Sequence, residues 1–155
     1  MILGYRSDVR IATSKKGFNI LNNYVEERMK ELNKKDYNLL NYLDINKEKK
    51  DVCYFGWNHI KWYDGFEGYE YIDAIIEGLN KLEEKDISYH FARIGESYDD
   101  YDEINYDVSS DKELEEYIPY PNMNRYFDDE DIEVQMGMKK PVESEVTIWN
   151  YWQKK

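Results

Sequence analysis

The chain has 155 residues, 41% of them apolar and 16% aromatic, and a formal net charge of −12. A chain of that length buries roughly 70% of the surface its unfolded form exposes, so it needs no covalent staples, and its single cysteine excludes an internal disulfide. Nothing at the N-terminus reads as a signal peptide and no apolar run approaches the ~20 residues that cross a bilayer, so a soluble cytoplasmic protein is expected.

Residues Ile2 to Ala12 read as a strand, with Tyr5, Ser7, Val9 and Ile11 on one face. Arg6, Asp8 and Arg10 fall on the other, where the alternating charges are expected to pair along the strand. Ser14 or Thr13 caps a helix from Lys15 to Asn33. In it Phe18, Leu21, Val25, Met29 and Leu32 recur at three- and four-residue steps as one buried stripe. Two β-prone runs follow, Tyr37 to Ile45 and Val52 to Tyr63, read as a hairpin joined by the charged stretch Asn46 to Asp51. Asp64-Gly65, with Gly68, ends it. Ile72, Ile75, Ile76, Leu79 and Leu82 mark a second helix, and Ile87 to Ile94 a fourth strand.

This order predicts an α+β fold: a ferredoxin-like βαββαβ antiparallel sheet with two helices on one face. Residues 96–155 read as an acidic C-terminal extension that is not independent of the 1–95 core. The extension holds an acidic tract from Ser97 to Glu116, partly helical in this reading, and a proline-containing loop from Ile118 to Asn124. Two late strands, Ile132 to Met136 and Val146 to Trp152, form a hairpin across Gly137 to Glu145. No repeat or linker divides the chain, so one domain over 1–155 is expected.

The charge is concentrated. Gly95 to Glu133 holds fifteen Asp and Glu against Lys112 and Arg125, while the other 116 residues carry eighteen acids and nineteen bases. Such a block repels nucleic acid and anionic membrane and attracts a basic protein surface or a hard cation. No phosphate-binding loop, dinucleotide fingerprint, nucleophile elbow or zinc signature is present. His59 and His90 read as strand histidines, and Cys53 as a small buried apolar residue, because no histidine stands at a pairing distance in sequence. Asp100 to Asn105 and Asp128 to Asp131 offer oxygens to calcium or magnesium, yet the turn glycine and closing glutamate of a calcium loop are not in place. A two-metal nuclease would also need basic residues near its carboxylates to accept a polyanion. No metal, cofactor or catalytic residue is therefore expected.

The remaining reading is an acidic surface that takes the place of nucleic acid. Carboxylates at helical three- and four-residue spacing stand ~5–6 Å apart, close to a phosphate repeat of about 6–7 Å along one strand. Glu96, Asp99, Asp102, Glu103 and Asp107 take that spacing if the tract is helical. Asp100 and the cluster Asp128, Asp129, Glu130 and Asp131 add charge, and Tyr98 and Tyr101 add stacking contacts to arginine. The alternatives are a small-molecule binder whose pocket for a nucleotide-like anion is lined by Arg6, Arg10, Arg93 and the tryptophans, and a carboxylate metal-dependent enzyme. Trp57, Trp62, Trp149 and Trp152 read as packing residues, the last two also as interface anchors, and the late strands offer an edge to a homodimer.

Gly4-Tyr5-Arg6-Ser7-Asp8-Val9, the run from Gly56-Trp57 to Lys61-Trp62-Tyr63, and Arg93-Ile94-Gly95-Glu96 followed by Asp99-Asp100 together resemble a family of small phage and mobile-element proteins. The resemblance covers about the first hundred residues and carries over no catalytic residue. It implies a non-enzymatic inhibitor of host defence, anti-CRISPR-like, acting in the host cytoplasm. Its partner would be a basic host protein such as a nucleic-acid-guided nuclease or another defence enzyme, with no direct nucleic acid and no membrane.

Overall fold

The computed structural model describes residues 4–108 and 118–140. Its regular elements are β1 (Ser7–Ser14), α1 (Lys15–Glu31), β2 (Ile45–Lys49), β3 (Val52–Ile60), α2 (Glu70–Glu84), β4 (Tyr89–Gly95), β5 (Tyr101–Tyr106) and α3 (Asp129–Gln135). The fold is α+β, with a five-stranded sheet in the order β2-β3-β1-β4-β5 and every neighbouring pair antiparallel.

Period-2 and period-3.6 patterning meet on one face of that sheet. Ser14 begins α1 by accepting a hydrogen bond from the Gly17 amide at 3.0 Å, which satisfies one of the helix's orphan donors. Leu21, Val25 and Met29 of α1 and Ile72, Ile75, Leu79 and Leu82 of α2 then pack on Val9, Ile11, Phe55, Trp57 and Phe91. Each such side chain contributes ~1.5–3 kcal/mol by leaving water. The opposite face is not left to solvent. Ile132 of α3 is fully buried there against Ala12, Tyr54 and Ile118, so two helices cover one side of the sheet and a third covers the other.

Four expectations need correction. The expected strand from Tyr37 to Ile45 is instead two short 3-10 turns, Lys35–Tyr37 and Leu39–Asn41, and only its last residue, Ile45, enters β2. Asn38 stabilises the second by accepting from the Leu40 amide at 2.9 Å, and Trp57 Nε1 donates to the Leu39 carbonyl at 3.0 Å. Asn46 to Lys49, expected as a connection, is most of β2 itself. An edge strand tolerates such charge because one row of its side chains stays wet.

The described part of the acidic tract supplies β5 rather than a helix, and residues 109–116 lie outside the described residues. Tyr101, Ile104 and Tyr106 suit a pleated surface, and the free edge of β4 satisfies the backbone. The turn between them is closed by the Gly95 amide donating to the Asp100 carbonyl at 2.8 Å. Ile132 to Met136, expected as a strand, is instead the last turn of α3 and its C-cap residue. At the start of α3 the Asp128 side chain caps by accepting from the Asp131 amide at 3.0 Å, and Asp129, Glu130 and Asp131 in the first turn complement the helix dipole. The hairpin therefore loses its first arm. Its second arm, Val146 to Trp152 with both tryptophans, and Lys112 lie outside the described residues. Among the described residues no helix is long and apolar enough to cross a membrane.

Candidate functional site

Arg10 lies on the central strand β1 with its side chain turned to the α3 side, and the residue is only 2% exposed. A buried cation needs a counter-charge and partners for its remaining N–H groups. Asp129 supplies the charge from the first turn of α3, with Nε to Oδ1 at 2.9 Å and Nη2 to Oδ2 at 3.1 Å. Nη2 also donates to Asn58 Oδ1 at 2.6 Å, and Nη1 to the Val9 and Trp57 carbonyls at 3.0 Å each. The Phe127 ring lies 4.9 Å from the guanidinium carbon. The Tyr54 hydroxyl donates to Asp129 Oδ1 at 2.6 Å, and burial together with that carboxylate pushes the phenol up. Burial also works to raise the Asp129 carboxyl, but the Arg10 and Tyr54 hydrogen bonds and the Arg10 charge outweigh it and hold it below the usual range. The expected ladder of Arg6, Asp8 and Arg10 does not form, because Arg10 turns to α3. Asp8 instead accepts from the His59 amide, and Arg6 donates to the His59 carbonyl.

A second lock binds the β4–β5 turn on the other side of the sheet. Arg93 donates to Asp100 through Nη2 at 2.6 Å and Nη1 at 3.1 Å, to Asp102 through Nε at 2.8 Å, and to Ser7 Oγ at 3.0 Å. Tyr5 donates to Asp100 Oδ2 at 2.6 Å and accepts from the Ser97 amide at 2.9 Å. The Arg93 bond, with Tyr5 behind it, holds the Asp100 carboxyl below its ordinary value.

Asp107 serves a third internal contact. His90, fully buried on β4, places Nε2 2.7 Å from Asp107 Oδ1 and Nδ1 2.9 Å from the Pro119 carbonyl. Tyr120 stacks on the ring at 3.8 Å and donates to Asp107 Oδ2 at 2.9 Å.

Asp100, Asp102, Asp107 and Asp129 are thus structural partners. The other expected binding residues are exposed or half-buried. Asp99 has no hydrogen-bond or ion-pair partner among the described residues, Glu96 accepts from the Arg6 amide, and Glu103 accepts from Asn105. Glu130 reaches Lys139 only at 3.9 Å, Asp128 caps α3, and Asp131 accepts from Gln135 at 2.8 Å. Tyr98 is 78% exposed beneath Arg125, and Tyr101 is 62% exposed. Strand pairing sends Tyr101 and Glu103 to the α3 side, opposite Ile94 and Ala92. There Glu103 and Asp131, from different segments, line one shallow cleft with Tyr120 and Asn122. Sequence reasoning missed the roles of Arg10 and Arg93; an arginine flanked by Val9 and Ile11 was the available signal for the first.

The pocket expected for an anion is not built among the described residues. Arg10 and Arg93 point to opposite faces of the sheet and both are held by carboxylates. No group of three or more His, Cys, Asp or Glu among the described residues converges so as to hold a metal. Burial pushes the Cys53 thiol up to about 11, aided by the Glu48 charge, so the group is a packing residue and not a thiolate.

The locks make stability depend on acid. Asp100, Asp129 and Glu133, the last held by Lys47, all have depressed carboxyls in the fold. Their stabilisation is complete above the unfolded-chain values near ~4 and is lost as pH falls through the lower folded values. The urea midpoint is expected to drop below about pH 4, and to drop less in Asp100→Asn. An equal drop in that variant would contradict the linkage.

No protein-family model, curated protein or solved structure matches this chain.

Proposed function

We propose that the protein is a non-enzymatic binding protein whose acidic, tyrosine-bearing α3-side face docks on a basic protein and excludes nucleic acid from it. The phage-family resemblance makes an effector of host defence in the cytoplasm the partner class. The observation that carries this reading is the meeting of Glu103 from β5 and Asp131 from α3 in one open cleft beside exposed Tyr120. Arg10 and Arg93 are tied up in their own carboxylate pairs, so neither offsets that charge. Convergence of separate segments replaces the helical spacing expected from sequence. The scaffold is read as a ferredoxin-like core, β1 to β4 with α1 and α2, which β5 extends at the β4 edge and α3 covers from behind.

The test is affinity capture from host lysate at low salt, read by mass spectrometry. The control combines Glu103→Gln, Glu130→Gln and Asp131→Asn, which leave all three internal contacts intact. One basic nucleic-acid-binding protein is expected to be enriched by the wild type and lost with the control. Its affinity should fall at least about tenfold between 50 and 200 mM salt. Capture that ignores both the control and salt would refute the acidic face.

A further inference from the structure

On the α1–α2 side of the sheet the outermost strand, β5, is incompletely covered, and its Ile104 is 44% exposed. The step between α2 and β5 is a cleft of about 310 Å³. Trp62 and Phe91 form its floor, Ile76 its helix wall, and Asp102 and Ile104 its strand wall, with Asp64 also at the cleft. Among the described residues no basic one lines it. Asp102 already faces Arg93, whereas Asp64 has no hydrogen-bond or ion-pair partner among the described residues. An apolar trough with uncompensated negative charge selects an occupant that carries both an apolar stem and a cation.

We infer that this cleft, which shares Glu103 with the α3-side cleft across the β5 edge, receives an arginine side chain of the basic partner, an assignment that rests on the binding reading above. The methylene stem of arginine loses water against Ile76 and Ile104 while its head stays at the carboxylates. Its flat guanidinium is weakly hydrated and tolerates an aromatic floor, which the compact, strongly hydrated ammonium of lysine does not. A free amine would leave one flank in water, because the cleft is open between α2 and β5. A side chain delivered by a docked protein draws its remaining affinity from the surface around it.

The probe is the peptide acetyl-Gly-Arg-Gly-amide, with its citrulline counterpart as a neutral control of the same shape, titrated into labelled full-length protein and followed by NMR. The arginine peptide is expected to move the Trp62 indole and Ile104 methyl signals saturably, and citrulline is expected to leave them in place. Asp64→Asn should weaken binding about threefold. Absence of a saturable shift at these two residues, or equal shifts from citrulline, overturns the site. This readout needs no host protein, so a silent cleft in a protein that still captures a partner removes the arginine site alone. Saturable binding by a protein that captures nothing overturns the partner reading, and with it the assignment to a partner's arginine.

Discussion

Asp129→Ala is expected to lower stability by roughly 3–5 kcal/mol, because it strands a guanidinium that has no route to water. The Arg10 side chain is 3% exposed, and Asp129 is its only counter-charge within salt-bridge distance among the described residues. The two carbonyls and Asn58 that accept its other N–H groups carry no charge to offset it. The loss should reach beyond the pair. Asp129 opens α3, whose Ile132 closes the core over Ala12 and Tyr54, so the helix would dock poorly and carry Asp131 away from Glu103. Urea unfolding measures the effect, and two controls separate its parts. Tyr54→Phe removes only a hydroxyl donor and should cost about 1 kcal/mol. Arg10→Met with Asp129→Leu removes both charges and should recover most of the loss. A change below about 1 kcal/mol in Asp129→Ala would mean that the buried arginine is hydrated after all.

Gly56→Ala should be at least as damaging, at about 3 kcal/mol or more. Gly56 lies on β3 between two strands, opposite Arg10 of β1 and Ile45 of β2. A methyl group there would stand 1.9 Å from the Val9 carbonyl oxygen and 2.9 Å from its carbon. Both are backbone atoms of the central strand, so no side-chain rotation relieves the clash. Only separation of β1 from β3 does, at the point where the register already shifts between Ser7 and Val9. Hydrogen exchange is the measurement. The β1–β3 amides are expected to lose protection before those of the β2–β3 pair, and uniform protection with an unchanged melting temperature would contradict the close approach. Because the Val9 carbonyl also accepts from Arg10, such a displacement would loosen the α3 lock as well.

The α1 and α2 helices were legible because their information is local. A stripe such as Ile72, Ile75, Leu79 and Leu82 has one periodic solution, and Ser14 announces the start of α1 in its own side chain. The same holds for the alternation of β1 and the apolar run of β3. The concentration of charge between Gly95 and Glu133 was equally plain, and so was the absence of catalytic motifs. Short segments were misjudged where neighbours distant in sequence decide the outcome. Tyr101 to Tyr106 is a strand because β4 offers an unpaired edge, and Ile132 lies on a helix whose acidic cap was present in the sequence but outweighed there by its β-branched residues.

The binding residues divide in the same way. Composition determined that this protein carries a strong local negative charge, since charge is counted residue by residue. Which carboxylates remain to meet a partner was decided only by tertiary structure. Arg10 lies 119 residues from Asp129, and Arg93 seven from Asp100. Coulomb attraction between buried groups depends on distance in space and on exclusion of water, neither of which follows from order along the chain. Folding ties Asp129 to Arg10 and Asp100 and Asp102 to the single charge of Arg93, and turns Glu103 and Asp131 outward onto one face.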